Sequence, residues 1–316
     1  MMGSTLQQML VMDGGGTNTR MAMARSDNGR AALSAVTVID TPTGRLDQSI
    51  RHFVDNYHDG SISALAIAAA GRIHREPGLT TVHLTNAALA IRREDLLSSF
   101  GLQSVILIND LAAIAAALPW LGDHDLSQIG GPRQPASGHR LVVGIGTGFG
   151  AALITADGVL IETEAGHADM ASVGTVGRTW MNALAPSGYC SVEQVLSGAG
   201  LLRLHAVVSG SQSLSHEALL QAHDRKEPAA LRTLSIFSSW LGRAVANLVL
   251  NHGAWGGVVL AGGVLERLGS AFDVDAFRLA FEDRATFSSE LINVPVWQMR
   301  HPQPALLGLA RLSLSF

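Results

Sequence analysis

Three glycine turns in the sequence each follow a run of apolar, strand-forming residues. Met9-Leu10-Val11-Met12 leads into Asp13-Gly14-Gly15-Gly16-Thr17-Asn18. Leu141-Val142-Val143 leads into Gly144-Ile145-Gly146-Thr147-Gly148, and Val258-Val259-Leu260 into Ala261-Gly262-Gly263. With no Cβ in the way, backbone N–H groups in such turns can approach phosphate oxygens closely. Thr17 and Thr147 add hydroxyl donors, and Asp13 stands where a carboxylate can hold Mg²⁺ through water. One such turn alone reads better as a tight hairpin. Two copies in equivalent places, with a third between strand and helix, favour phosphate handling.

Two further groups carry chemistry. Asn109-Asp110 ends the apolar run Val105 to Ile108, and open α/β sheets place ligands at the carboxyl ends of their strands. A carboxylate there can take a proton from a hydroxyl as its oxygen attacks phosphorus. The competing reading is that Asp110 caps a helix beginning at Leu111. The second group is Glu164-Ala165-Gly166-His167-Ala168-Asp169, with Glu193 further along before Leu196-Ser197-Gly198. A sugar presents many hydroxyls, and acceptors and bidentate groups of this kind suit it. The alternatives are a solvated polar loop or a His-x-Asp metal site, the latter lacking supporting ligands.

The elements that must position these groups follow from periodicity. Strands are expected at Met9 to Met12, Met21 to Ala24 and Ala35 to Ile39, with Ser26 to Gly29 as a hairpin turn. Leu46, Ile50, Phe53, Val54 and Tyr57 share one helical face. Strand Ala64 to Ala69, a helix around Arg92 to Phe100, strand Val105 to Ile108 and an alanine-rich helix, Leu111 to Leu118, come next. Gly122 to His139 is polar and rich in Gly and Pro, and reads as a linker or long loop.

The opening pattern then returns, as strands Leu141 to Val143, Phe149 to Ile154 and Val159 to Glu162 around a glycine turn. Aligning Gly16-Thr17 on Gly146-Thr147 predicts an internal duplication, with two similar α/β lobes facing each other. Ser191 and Gln194 have the spacing of a capping box. A long helix is expected from about Ala229 to Asn251, a strand from Val294 to Gln298, and a last helix from Ala305 that packs back on the first lobe.

Composition narrows the function. The chain has 316 residues, 47% hydrophobic and 15% charged, which excludes a disordered polymer. Its formal charge of −4 argues against a dedicated nucleic-acid binder. Cys190 is the only cysteine, which excludes an internal disulfide or a multi-cysteine metal site. Lys226 is the only lysine and follows no glycine-rich loop, so P-loop NTPases and protein kinases are excluded. Neither a targeting signal nor a membrane span is expected, and the default location is the cytoplasm.

With these residues in view, the sequence resembles the bacterial glucokinase family of the hexokinase and actin-like sugar-kinase superfamily. The likeness runs nearly end to end. It rests on Asp13 to Arg20, Leu84-Thr85-Asn86, Ile108-Asn109-Asp110, Gly146 to Gly150, Glu164 to His167, Glu193 to Leu201, Gly256 to Gly263, Phe281-Glu282-Asp283, Asn293 to Val296 and Leu306-Leu307-Gly308. The phosphate turn is shared widely. Gly166-His167 followed by Glu193-Gln194-Val195-Leu196-Ser197-Gly198 is more specific, as is the late Phe-Glu-Asp segment.

The resemblance implies an α/β fold of duplicated actin-like ATPase (ribonuclease H-like) lobes with the active-site cleft between them. The smaller lobe would span residues 1–120, completed by the C-terminal helix 303–316, and the larger 121–302. It implies ATP-dependent phosphorylation of glucose at the 6-hydroxyl, with Asp110 as general base. Asn86, Asn109, Glu164, His167 and Glu193 would hold the sugar together with Asp110. Asp13, Gly14, Gly15, Gly16, Thr17, Asn18, Gly146, Thr147, Gly148, Gly262 and Gly263 would surround ATP, with Mg²⁺ bridging its phosphates. The lobes would close on the sugar and exclude water. Many members are homodimers, and the implied partners are small molecules, with no nucleic acid and no membrane.

Departures from the pattern are Leu89 where a Trp is usual, Ala165 for Gly, Ala199 for Pro, and Leu265-Glu266-Arg267 where a Pro often precedes the Arg. They bear on sugar preference more than on the reaction. The alternatives are a kinase for another hexose or an N-acetyl amino sugar, a non-catalytic sugar sensor, or an actin-like filament former. Repressor relatives carry a DNA-binding domain before the phosphate turn; with that turn beginning at Asp13, no such domain is expected here.

Overall fold

The computed structural model describes residues 9–15, 18–27, 30–41, 46–57, 62–84, 89–134, 136–171, 174–185, 188–211 and 215–313. The chain divides into two compact units, one of Met1–Leu121 with His301–Phe316, the other of Gly122–Arg300.

The first unit opens with strands β1 (Met9–Gly14), β2 (Asn18–Asp27) and β3 (Arg30–Asp40), then helix α1 (Leu46–Tyr57). Strand β4 (Ala64–Ala69) and a small three-stranded sheet, β5 (Ile73–Glu76), β6 (Leu79–His83) and β7 (Ala90–Arg92), come next. Helix α2 (Arg93–Phe100), strand β8 (Ser104–Asn109) and helix α3 (Asp110–Ala117) complete its first segment. The main sheet runs β3-β2-β1-β4-β8, antiparallel through β3, β2 and β1 and parallel through β1, β4 and β8.

Strand β1 is apolar from Met9 to Met12 because both faces of this sheet are covered. Its alternate residues enter different cores. Leu10 and Met12 pack with Ile50, Phe53 and Leu96, from α1 and α2. Met9 and Val11 pack with Ala113 of α3 and with Leu306 and Leu309 near the C-terminus.

The second unit repeats this plan. It contains β9 (Leu126–Gly130), β10 (Arg140–Ile145), β11 (Phe149–Ile154) and β12 (Leu160–Glu162), then helices α4 (Gly174–Leu184), α5 (Val192–Val195), α6 (Gly198–Ser209), α7 (His216–Asp224) and α8 (Pro228–His252). Strand β13 (Val258–Ala261), helices α9 (Gly263–Leu268), α10 (Val274–Glu282) and α11 (Ser288–Ile292), and strand β14 (Val296–Met299) follow. The sheet order β12-β11-β10-β13-β14-β9 reproduces the first, with β9 added antiparallel at its edge. Leu141, Val143 and Ile145 of β10 pack on Phe237, Leu241 and Val245 of α8. Among the described residues, α8 is the one helix long and apolar enough to cross a membrane. These buried contacts account for its apolar stripe as a core helix.

The C-terminal helix α12 (Pro304–Ser313) returns to the first unit and lies against α3. The contact is close because Gly308 has no side chain: a Cβ there would fall 1.8 Å from the Ala113 carbonyl oxygen. Arg311 donates from Nη1 to the Ala116 carbonyl at 2.9 Å and sits over the Trp120 ring.

Two features depart from the sequence reading. The segment Gly122 to His139 is not all loop, since Leu126–Gly130 forms β9 and pairs with β14. Its alternation is too short to register, and the neighbouring Gly and Pro residues dominate the local composition. The β5–β6–β7 sheet was also missed. Three of the four β5 residues are exposed, so no apolar alternation marks it, although Pro77-Gly78 was a readable turn signal.

Candidate active site

In the first unit, Asp13 lies one residue before the end of β1, and Asp110 is the first residue of α3, just after β8. Strand β4 separates β1 from β8, and all three are parallel, so both carboxylates belong to the carboxyl edge of one sheet. The helix cap is Asn109, not Asp110: the Asn109 Oδ1 accepts from Leu111 N at 2.9 Å and from Ala112 N at 3.3 Å. The reading of Asp110 as the cap of a helix starting at Leu111 is therefore corrected. A single residue already satisfies the first N–H groups, and the helix begins one residue earlier. Asp110 also accepts from Leu111 N, through Oδ1 at 2.9 Å.

Burial, and secondarily the charge of Asp13, push the Asp110 carboxyl up to about 6. Burial also raises Asp13, opposed by Arg20. Arg20 is the cross-strand partner of Asp13 in the β1–β2 hairpin, and its Nη1 lies 3.4 Å from Asp13 Oδ2. The sequence reading gave Arg20 no role. The register of a short hairpin would have placed it opposite Asp13.

The Asp110 shift has a direct consequence if its carboxylate accepts a proton in the rate-limiting step. The group must then be ionised, so kcat/KM should fall about tenfold per pH unit below about pH 6 and stay flat above it. An unperturbed Asp would place that limb near 4. A pH–rate profile with glucose as varied substrate measures it.

Gly14 is buried and Gly15 half-buried. Gly15 N donates to Asn18 O at 3.1 Å, which closes the first glycine turn, and Asn18 is exposed at the start of β2. Gly16, Thr17 and Asn86 lie outside the described residues.

In the second unit the turn after β10 is one residue tighter, with Gly146 N donating to Gly148 O at 2.9 Å. Thr147 is exposed at its tip. Two other segments meet this turn. Gly198, opening α6, donates its N–H to Gly146 O at 2.9 Å. Gly262 precedes α9 with φ +104°, and a Cβ there would meet Ile145 O at 2.4 Å, so only glycine fits. Gly263 opens α9 with open space around its Cβ position. Glycine N–H groups and the N-terminus of α6 are thus gathered around the end of β10, an arrangement suited to phosphate oxygens.

The same turn touches the polar cluster. Glu193, in the first turn of α5, accepts from Phe149 N through Oε2 at 3.0 Å. Gly148 leaves room for that carboxylate, since a Cβ would lie 2.4 Å from its Oε2. The capping box is present: Ser191 Oγ accepts from Gln194 N, and Gln194 Oε1 accepts from Ser191 N. Glu164 precedes a short 3₁₀ turn, Ala165–His167, which ends on His167, and both residues are exposed. The bridge between Asp169 and Ser191 holds this turn beside α5. The structure therefore brings Glu164, His167, Glu193 and Gly146 to Gly148 together in one unit.

The family model for glucokinase matches residues 10–315. The chain belongs to the glucokinase family. The glucokinase of Cupriavidus pinatubonensis is 33% identical, over 97% of this chain and 92% of that protein. That of Tolumonas auensis is 34% identical, over 96% of this chain and 95% of that protein. The crystal structure of a glucokinase from an Antarctic psychrotroph aligns with TM-score 0.86 at 27% identity, covering 98% of this chain and 99% of that one. The repeated sheet order is accordingly the actin-like sugar-kinase fold, in which two similar sheets each carry glycine turns at their strand ends. Membership makes this an ATP-dependent phosphotransferase of the hexokinase type and explains why phosphate-type turns and polyol-type acceptors occur in one chain.

Proposed function

We propose that this protein transfers the γ-phosphoryl group of ATP to the 6-hydroxyl of glucose, with Asp110 as the general base. The observation that carries the reading is the Asp110 carboxyl at the edge of the sheet: Asn109 serves as the cap of α3, and burial with the nearby Asp13 charge pushes Asp110 up to about 6. Such a group is ionised at pH 7 yet more basic than an ordinary aspartate. One of its oxygens accepts from Leu111 N. The other takes the proton of the 6-hydroxyl as O6 attacks the γ-phosphorus. The bond between that phosphorus and the β–γ bridging oxygen breaks, and ADP leaves with the electron pair.

In this reading Asn86, Asn109, Glu164, His167 and Glu193 hold the sugar hydroxyls. Gly14 to Asn18, Gly146 to Gly148, and Gly262 with Gly263 surround ATP. Asp110 and Asn109 belong to the first unit, and Glu164, His167 and Glu193 to the second.

Asp13 fits a Mg²⁺ ion held through water. Mg²⁺ keeps several waters and takes one or two carboxylates alongside substrate phosphates. Asp13 and Asp110 repel each other across one sheet edge, which a dication relieves. Among the described residues no cluster of three or more His, Cys, Asp or Glu forms a protein-only cage, and a Mg–ATP site needs none. When bound, the ion neutralises phosphate charge, while Asp13 orients its waters. The family resemblance supports a cytoplasmic homodimer, and sedimentation equilibrium tests the dimer.

His167→Ala should raise the glucose KM by about tenfold, the loss of one good hydrogen bond, and leave the ATP KM within twofold. Equal weakening of both substrates would point to misfolding of the turn. The test of the whole reading is ADP release from ATP-Mg²⁺ with glucose, mannose, fructose, N-acetylglucosamine and no sugar. Strong release with glucose alone supports it. Release with another sugar keeps the mechanism and moves the specificity. No sugar-dependent release from folded protein overturns it.

A further inference from the structure

The 3₁₀ turn Ala165–His167 is a weak structure on its own. It has three residues, and Glu164 before it supplies no side-chain cap. Its position is set from outside. Met170 N donates to Cys190 O at 2.7 Å and Val192 N to Ala168 O at 2.9 Å, so the residues after the turn pair with 190–192. On its other side Gly166 is pressed against β11, where a Cβ would meet Phe149 O at 2.0 Å.

One side chain reaches the turn where it carries His167. The Tyr189 hydroxyl donates to the His167 carbonyl oxygen at 2.8 Å. The Tyr189 ring is 52% exposed, so packing does not explain an aromatic residue here; the contact that distinguishes it from phenylalanine is this hydrogen bond. The carbonyl it holds belongs to the same residue as the imidazole, so fixing that peptide plane limits the directions the ring can take.

The neighbouring residues act on the same cluster. Ser191, two residues on, caps α5, and that helix presents Glu193 to Phe149 N. Residues 189–193 thus orient two sugar-cluster side chains by separate means: His167 through the Tyr189 hydroxyl, and Glu193 through the Ser191 cap.

We infer that Tyr189 is a positioning residue of the sugar site, whose hydroxyl holds the His167 carbonyl and so aims the His167 imidazole at the sugar. The inference rests on the proposed role of His167. It makes Tyr189 a determinant of sugar affinity and not of phosphoryl transfer or ATP binding.

A double-mutant cycle tests it, with wild type, Tyr189→Phe, His167→Ala and the double variant assayed for kcat and for both KM values, and melted in parallel. Tyr189→Phe should raise the glucose KM about fivefold to tenfold, with kcat and the ATP KM within twofold of wild type. In the His167→Ala background the same change should add less than twofold, because the group it aims is gone. A wild-type glucose KM in Tyr189→Phe overturns the assignment. So does an undiminished effect in the His167→Ala background, or a parallel rise in both KM values with a lowered melting temperature. Wild type without glucose-dependent ADP release overturns the kinase reading itself; a working wild type with an unmoved Tyr189→Phe overturns Tyr189 alone.

Discussion

Asp110→Asn should reduce kcat by roughly 10²–10⁴-fold, the range associated with a positioned general base, while glucose binding measured by calorimetry survives within a few-fold. The side chains are nearly isosteric, and Asn retains an oxygen to accept from Leu111 N as Asp110 does at 2.9 Å. What it lacks is the ability to take a proton. The helix should not unravel, because its cap is Asn109. Near-normal turnover in this variant would remove Asp110 from the chemistry.

The same substitution should make the protein more stable at neutral pH, and the sign follows from linkage. The folded Asp110 carboxyl titrates near 6 and the unfolded one near the ordinary value of 3.8. Between those values the folded state binds more protons, so stability falls as pH rises through that window. Above pH 6 the full cost of keeping a buried charge beside Asp13 is present. Asn carries no such cost, and the variant should gain about 1–3 kcal/mol at pH 7.5. That gain should shrink towards zero as pH falls below 5. Thermal melts of both proteins across pH 4.5–8 give the comparison, and a gain that does not change with pH would contradict the buried-charge account.

Gly308→Ala should be the most damaging single methyl addition in the first unit. The new carbon would lie 1.8 Å from Ala113 O, 2.8 Å from Ala113 C and 3.1 Å from Ala117 N. All three are backbone atoms of α3, so no side-chain rotation relieves the clash and the two helices must separate. Overpacking of this kind costs about 3 kcal/mol, a fall of roughly 6–12 °C in melting temperature for a domain of this size. Because α3 begins at Asp110, the shift should also displace the proposed base. Misplacement on the order of 1 Å costs up to about 10²-fold in rate. We therefore expect kcat to fall below wild type even at temperatures where the variant remains folded. A wild-type melting curve would mean that α3 and α12 do not approach this closely in solution.

Much of this protein was readable from residue order alone. The apolar runs before each glycine turn require strands that end in open backbone, and the repeat of that pattern requires two related sheets. Both are local properties, set by side-chain alternation and by the absence of Cβ. The capping box at Ser191 is equally local, since its two bonds join residues three apart. The short β9 and the β5–β7 sheet were not readable, because their pairing partners, not their own few residues, stabilise them.

The identity of the chemical groups was likewise carried by the sequence: carboxylates after strands, glycines before helices, and a His between two Glu residues. Their states were not. Which of two adjacent residues caps α3 depended on which side chain reached Ala112 N as well as Leu111 N, and Asn109 does so, while Asp110 accepts from Leu111 N. The raised Asp110 carboxyl comes from burial and from Asp13, which lies some hundred residues earlier and two strands away. Glu193 meets Phe149 N across a separation of 44 residues, and Gly308 meets Ala113 through a helix from the far end of the chain. Residue types and short spacings specify which reactions are possible, because they follow from local covalent geometry. Proton affinity, side-chain direction and close backbone contact depend on groups distant in sequence, and those are brought together only when the sheets and helices pack.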